Sequence, residues 1–97
     1  MRQRQLIDDD VAHWVIHVRD RACLYGAFGG DPCRGPQAYH AHHIQKRSQG
    51  GNDVPENLIT LCVHHHELAE KRLIEAIKFM KILHDLYGYE YEELQHG

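Results

Sequence analysis

The chain has 97 residues, with 14 acidic against 11 basic side chains, for a formal charge of −3. That length holds one domain and excludes two, and a core this small commonly leans on a metal or a disulfide. No apolar stretch approaches transmembrane length, and the opening MRQRQLIDDD lacks the apolar segment of a secretory signal, so no membrane role is expected and the cytoplasm is the simplest compartment. Net acidity counts mildly against a phosphate-rich partner. The charge is uneven, however: acid gathers at Asp8, Asp9 and Asp10 and in the tail YEYEEL, whereas Arg34, Lys46, Arg47, Lys71 and Arg72 are basic. Three cysteines cannot form a closed disulfide set, and in a reducing compartment they read as metal ligands or buried thiols. Ten histidines are the compositional outlier, and the runs HAHH and HHH are internal, which sets aside an expression tag and favours metal.

The first predicted element is a helix over residues 8–22. Val11, Trp14, Val15 and Val18 follow the spacing of one buried face, which places Trp14 in the core, and Asp8 to Asp10 suit the helix N-terminus. GAFGGDPCRGP, residues 26–36, reads as a loop carrying Cys33. AYHAHHI, residues 38–44, reads as a short strand, and NLITLC, residues 57–62, as a second, with the polar loop QKRSQGGNDVPEN between them. From Val63 to Tyr87 the pattern is helical, with Leu73, Ile77, Met80 and Leu83 or His84 recurring every three or four residues. Such a length suggests a break near Lys71 to Leu73, and Gly88 is a natural stop. The acidic tail reads as a solvated end.

The informative stretch is AYHAHHIQKRSQGGNDVPENLITLCVHHHELAEKR, residues 38–72. It contains His42-His43, then Gly50-Gly51, then Asn57-Leu58, then Leu61-Cys62-Val63-His64-His65-His66. In order and spacing this resembles the HNH nuclease family, the ββα-metal group. The resemblance implies an α+β fold: a short two-stranded antiparallel hairpin packed with N-terminal and C-terminal helices, with a structural zinc. It implies residues 1–97 as a single nuclease domain, with a core over about 37–72 between helices at about 8–22 and 72–87.

The same resemblance assigns roles. His43 is the expected general base, since a neutral imidazole is well matched to take a proton from water near pH 7. His42 and His66 are the expected ligands of a catalytic divalent metal such as Mg, Mn or Ni, and neighbouring residues on a strand face opposite sides, which separates the two jobs of His42 and His43. Asn57 corresponds to the family residue that orients the base across the loop. Many members carry a further histidine one helical turn after the equivalent of His66; here that position is Glu70, so a carboxylate, water or substrate phosphate completes the shell. A zinc set of Cys23, Cys33, Cys62 and His65 is implied by the family's paired-cysteine knuckle, although nine residues separate Cys23 from Cys33 where the usual pair is tight. His64 competes with His65 for that role, and Cys-x-x-His spacing favours His65.

Lys46 and Arg47, between base and asparagine, are expected to touch substrate phosphate. His40 lies on the same strand face as His42 and reads as a substrate contact, an outer-shell group or a solvated residue. His13, His17, His84 and His96 read as ordinary surface or core histidines. The expected function is metal-dependent hydrolysis of double-stranded DNA with low sequence specificity. The resemblance to short phage and prophage proteins suggests partners in DNA packaging. A zinc-stabilised DNA-binding module without catalysis is the competing reading; it would keep Cys62 and His65 but has no use for His43 with Asn57. A protein that merely stores metal is the third.

Overall fold

The computed structural model describes residues 9–46 and 50–95. Asp8, Arg47 and His96 lie outside the described residues. The elements run α1 (Asp9–Trp14), a π-helical turn (Val15–Asp20), α2 (Leu24–Phe28), β1 (Tyr39–His43), a 3-10 turn (Pro55–Asn57), β2 (Leu58–Cys62), α3 (Val63–Glu70), α4 (Ala76–Tyr87) and a 3-10 turn (Glu92–Gln95). β1 and β2 pair antiparallel, with His42 opposite Ile59 and His43 opposite Leu58. The fold is therefore α+β, two strands with helices packed around them.

β2 is the centre of the core. All five of its residues are buried, with Leu58, Ile59, Thr60 and Leu61 at 0 % exposure. A strand covered on both faces needs apolar side chains in succession rather than in alternation, which LITLC supplies. Each fully buried Leu or Ile contributes about 1.5–3 kcal/mol of transfer free energy. α4 brings Phe79, Met80, Ile82 and Leu83 against this strand's cluster.

The N-terminal helix departs from its predicted face. Trp14 is 41 % and Val18 55 % exposed, whereas Val15 is fully buried. For Val18 the cause is the π-helical turn, closed by the Arg21 N–H on the Ile16 carbonyl at 2.9 Å. A π turn holds more residues than an α turn, so the 3.6-residue stripe is lost after Val15. The shift delivers Arg19 and Asp20 to β2 instead. Buried Asp20 accepts the Thr60 N–H at 3.0 Å and the Tyr87 hydroxyl at 2.9 Å. Arg19 bridges Asp20 to the carbonyls of Pro55 and Leu58, at 2.6 Å each.

Residues 24–28 are helical, and the last three of them fall in the expected loop of 26–36. Cys23 caps them, its Sγ accepting the Gly26 N–H at 3.4 Å. Glycine is required at 26, because a Cβ there would lie 2.2 Å from Cys33 Sγ. The C-terminal helical region is broken between Glu70 and Ala76, and Gly88, at φ 78°, closes α4 with its N–H on His84. Leu73 lies in the break and is 68 % exposed, and Ile77 is 44 % exposed, so neither belongs to the buried face expected of them. The helix restarts at Ala76 with its stripe on Phe79, Met80, Ile82 and Leu83. The tail is only partly solvated: Glu92 and Glu93 are exposed, but Tyr89, Tyr91 and Leu94 pack on the core. Among the described residues no helix is long and apolar enough to cross a membrane.

Candidate metal centre and active site

β1 sends consecutive histidines in opposite directions, as the pleat requires. His42 is buried at 5 % exposure, with its ring edge-on to Phe79 and to His66, at centroid distances of 5.7 and 5.3 Å. α3 contributes His66 and, one turn later, Glu70. Donor atoms of His42, His66 and Glu70 all lie within 4.8 Å of one another. His42 Nδ1 is 3.3 Å from Glu70 Oε2, yet no hydrogen bond joins them, and this buried nitrogen has no hydrogen-bond partner among the described residues. An orphaned buried acceptor is costly unless something else satisfies it.

The protonation states suit a cation. Burial, reinforced by His66, pushes the His42 imidazole down to about 4. Burial, with His40 next, lowers His66 as well. The Lys46 ammonium, 3.0 Å from Glu70 Oε1, holds the Glu70 carboxyl below the usual range. Near pH 7 the cluster therefore presents two neutral imidazoles and one carboxylate, the forms in which these groups bind metal. The residues fit a divalent ion both in donor chemistry and in the unsatisfied nitrogen.

His43 faces the other way. Its Nε2 lies 2.7 Å from Asp53 Oδ1, and both side chains are largely buried, at 15 % and 14 % exposure. Asp53 was not singled out from the sequence, where it is one polar residue among many in QKRSQGGNDVPEN. Asn57 makes no hydrogen bond to His43; it ties the loop instead. Its Oδ1 accepts the Gln45 N–H at 2.8 Å, while its Nδ2 donates to the carbonyls of Gln45 and Asn52 at 2.9 and 3.0 Å. Gly51 lies so close beneath that a Cβ would sit 1.8 Å from the Gln45 carbonyl oxygen. The expected influence of Asn57 on the base is thus indirect: it shapes the loop that carries Asp53.

A second cluster joins distant parts of the chain. Sγ of Cys23, Cys33 and Cys62 lie 3.3, 3.9 and 3.4 Å from His65 Nδ1. The thiols are free of disulfides. Cys33 is pushed up to about 12 by desolvation of its sulfur and by the Cys23 and Cys62 sulfurs beside it. Burial acts to raise Cys62 too, but the His65 N–H and the neighbouring thiols outweigh it and the net shift is downward. Sulfurs packed this closely cannot all ionise without a cation between them. His65, not His64, enters the cluster, and its far nitrogen Nε2 lies 2.9 Å from Asp31 Oδ2. A carboxylate on the outer nitrogen fixes a ligating imidazole's tautomer. Asp31 was also missed; its only signal is an acid two residues before Cys33.

His40 is exposed and stacks on His66, with centroids 4.9 Å apart and planes at 19°. Two open clefts flank the histidines. One, of about 340 Å³, is lined by His42, His43, Lys46, Arg72, Glu75 and Phe79 among others. The other, of about 420 Å³, is lined by Tyr39, His40, His66 and Glu70 among others.

The family model described as HNH endonuclease matches residues 30–72, somewhat under half of the chain. Over residues 30–72 the chain is similar to the HNH endonuclease family. This HNH segment begins just before Asp31 and Cys33 and ends after Glu70, so both donor clusters fall within it except for Cys23. No curated protein and no solved structure matches the chain.

Proposed function

We propose that the protein is a metal-dependent endonuclease that hydrolyses phosphodiester bonds of double-stranded DNA, with His43 as general base. The carrying observation is the division of labour on β1: His42 turns into the donor cluster with His66 and Glu70, while His43 turns out onto Asp53. With its Nε2–H donated to the Asp53 carboxylate, His43 keeps the Nδ1 lone pair for the proton of an attacking water. Asp53 fixes the ring and stabilises the imidazolium that results. His42, His66 and Glu70 would hold a Mg, Mn or Ni ion, which supplies Lewis-acid stabilisation of charge on the phosphate and on the departing oxygen. Lys46, whose ammonium lies 3.0 Å from Glu70, and its sequence neighbour Arg47 would contact substrate phosphate. Contacts of that kind carry no sequence information, so cleavage with low sequence specificity is expected.

Cys23, Cys33, Cys62 and His65 would hold a structural zinc. Tetrahedral bonds of roughly 2.3 Å to sulfur and 2.0–2.1 Å to nitrogen imply sulfur–nitrogen edges of roughly 3.6 Å. The observed 3.3, 3.4 and 3.9 Å straddle that value. Free thiols of this kind suit a reducing compartment such as the cytoplasm.

Supercoiled-plasmid cleavage tests the reading. The protein should nick or linearise plasmid with Mg²⁺, Mn²⁺ or Ni²⁺ and not with EDTA, and His43→Ala should lose roughly 10²–10⁴ in rate while still binding DNA. DNA binding without cutting under any of these ions would instead establish a zinc-stabilised binding module.

A further inference from the structure

Arg72 occupies a backbone position that does not suit it. It follows α3 at φ 60°, in the left-handed region where side chains with a Cβ are strained. The turn there closes by backbone bonds alone, Arg72 N–H to Ala69 and Leu73 N–H to Leu68, at 3.0 and 2.9 Å. This is the helix-ending motif in which glycine is the favoured residue. Nothing in the turn uses the arginine side chain. It is exposed, and among the described residues it has no ion-pair partner.

The side chain does have a place to act. Arg72 lines the cleft that also holds His42, His43 and Lys46. Lys46 is paired with Glu70 at 3.0 Å, which leaves Arg72 as the lining cation with no ion pair among the described residues, in a chain whose total charge is −3. Arg21 supplies the contrast. It has the same left-handed backbone, φ 63°, at the end of the π-helical turn, but it lines neither cleft beside the histidines. Strain of this kind persists where a side chain is needed for function. A guanidinium presents two parallel N–H groups that match phosphate oxygens.

We propose that Arg72 binds a DNA backbone phosphate next to the scissile one, in the cleft it shares with His43 and Lys46. This rests on the nuclease reading above. It makes Arg72 a residue that trades fold stability for substrate affinity, and Arg21 one that does not.

The test uses the full-length His43→Ala protein, so that DNA stays uncut, and a duplex oligonucleotide of about 20 base pairs titrated between about 50 and 200 mM KCl. Adding Arg72→Gly should raise Tm by roughly 2–8 °C, as backbone strain is released. It should weaken DNA binding several-fold and make the plot of log Kd against log salt shallower by about one ion. Arg72→Lys should keep the salt slope. Arg21→Gly should raise Tm and leave both Kd and slope unchanged. An Arg72→Gly protein with unaltered affinity and slope overturns the proposal, as does one whose weaker binding comes with a lower Tm. If the folded His43→Ala parent binds no duplex at any salt, the nuclease reading falls first and this proposal with it.

Discussion

Removing the Asp53 carboxylate should slow cutting without abolishing it. The His43–Asp53 contact is 2.7 Å long and its partners are only 15 % and 14 % exposed, so it is shielded from the solvent screening that makes surface pairs nearly worthless. A hydrogen bond to a charged group in such a setting contributes about 1.5–3 kcal/mol. If all of it acts on the transition state, where His43 becomes an imidazolium, Asp53→Ala should cut roughly 10- to 160-fold more slowly, at 1.36 kcal/mol per decade. Asp53→Asn should be no better than Ala: its amide can donate to Nε2, which drives the ring proton onto Nδ1 and removes the lone pair the base needs. The assay is initial-rate plasmid nicking at saturating metal, with Tm followed to confirm folding. Insofar as Asp53 acts on the rate through His43, adding Asp53→Ala to His43→Ala should cost almost nothing further. A double variant slower than His43→Ala by the full single-variant factor would refute the reasoning, as would wild-type rates in Asp53→Ala.

The protein should carry about one zinc per chain, and His65→Ala or prolonged chelation should remove it along with much of the helical circular dichroism, because the cluster ties α2 to β2 and α3. Zinc-free protein with an unchanged thermal transition would reject the structural site. Tyr87 predicts an alkaline limit: burial, with Asp20 next, pushes its hydroxyl up to about 12, above the roughly 10 of an unfolded tyrosine. A raised folded value means that the contribution is intact below pH ~10 and is lost as pH climbs toward 12. Melting curves from pH 8 to 11 should show Tm falling at the top of that range in the parent, and a smaller fall in Tyr87→Phe; parallel declines would contradict the assignment.

The parts of this molecule that could be read from the sequence are those set by spacing along one element. His66 and Glu70 share a helical face at four residues' separation, and His42 and His43 divide across a strand whatever surrounds them. β2 was evident because LITLC favours a strand. Contacts between elements were not. Asp53 and Asp31 meet their histidines across 10 and 34 residues of chain, and no local pattern marks either acid. Asn57 could be found by its motif, but its hydrogen bonds to Gln45 and Asn52 depend on a loop path that the motif does not encode. Val18 was misplaced for a different reason: the period of the helix changes at Val15. The π turn that changes it is held by Thr60 and Tyr87 gripping Asp20. Local hydrophobic periodicity yields to that distant polar anchor.

His65 and His66 are consecutive, yet they serve different donor clusters. On a helix, adjacent side chains diverge by about 100° around the axis, so one turn of α3 is shared between the two donor clusters. Any rotation or fraying of that turn moves both. Filling the sulfur-rich cluster would therefore set the azimuth of His66, and an ion among His42, His66 and Glu70 would in turn oppose release of the first. If both clusters hold ions, the two occupancies would be linked, each tightening the other by the same factor. A cell short of one metal would then see apparent weakness for the other, though neither ligand set had changed.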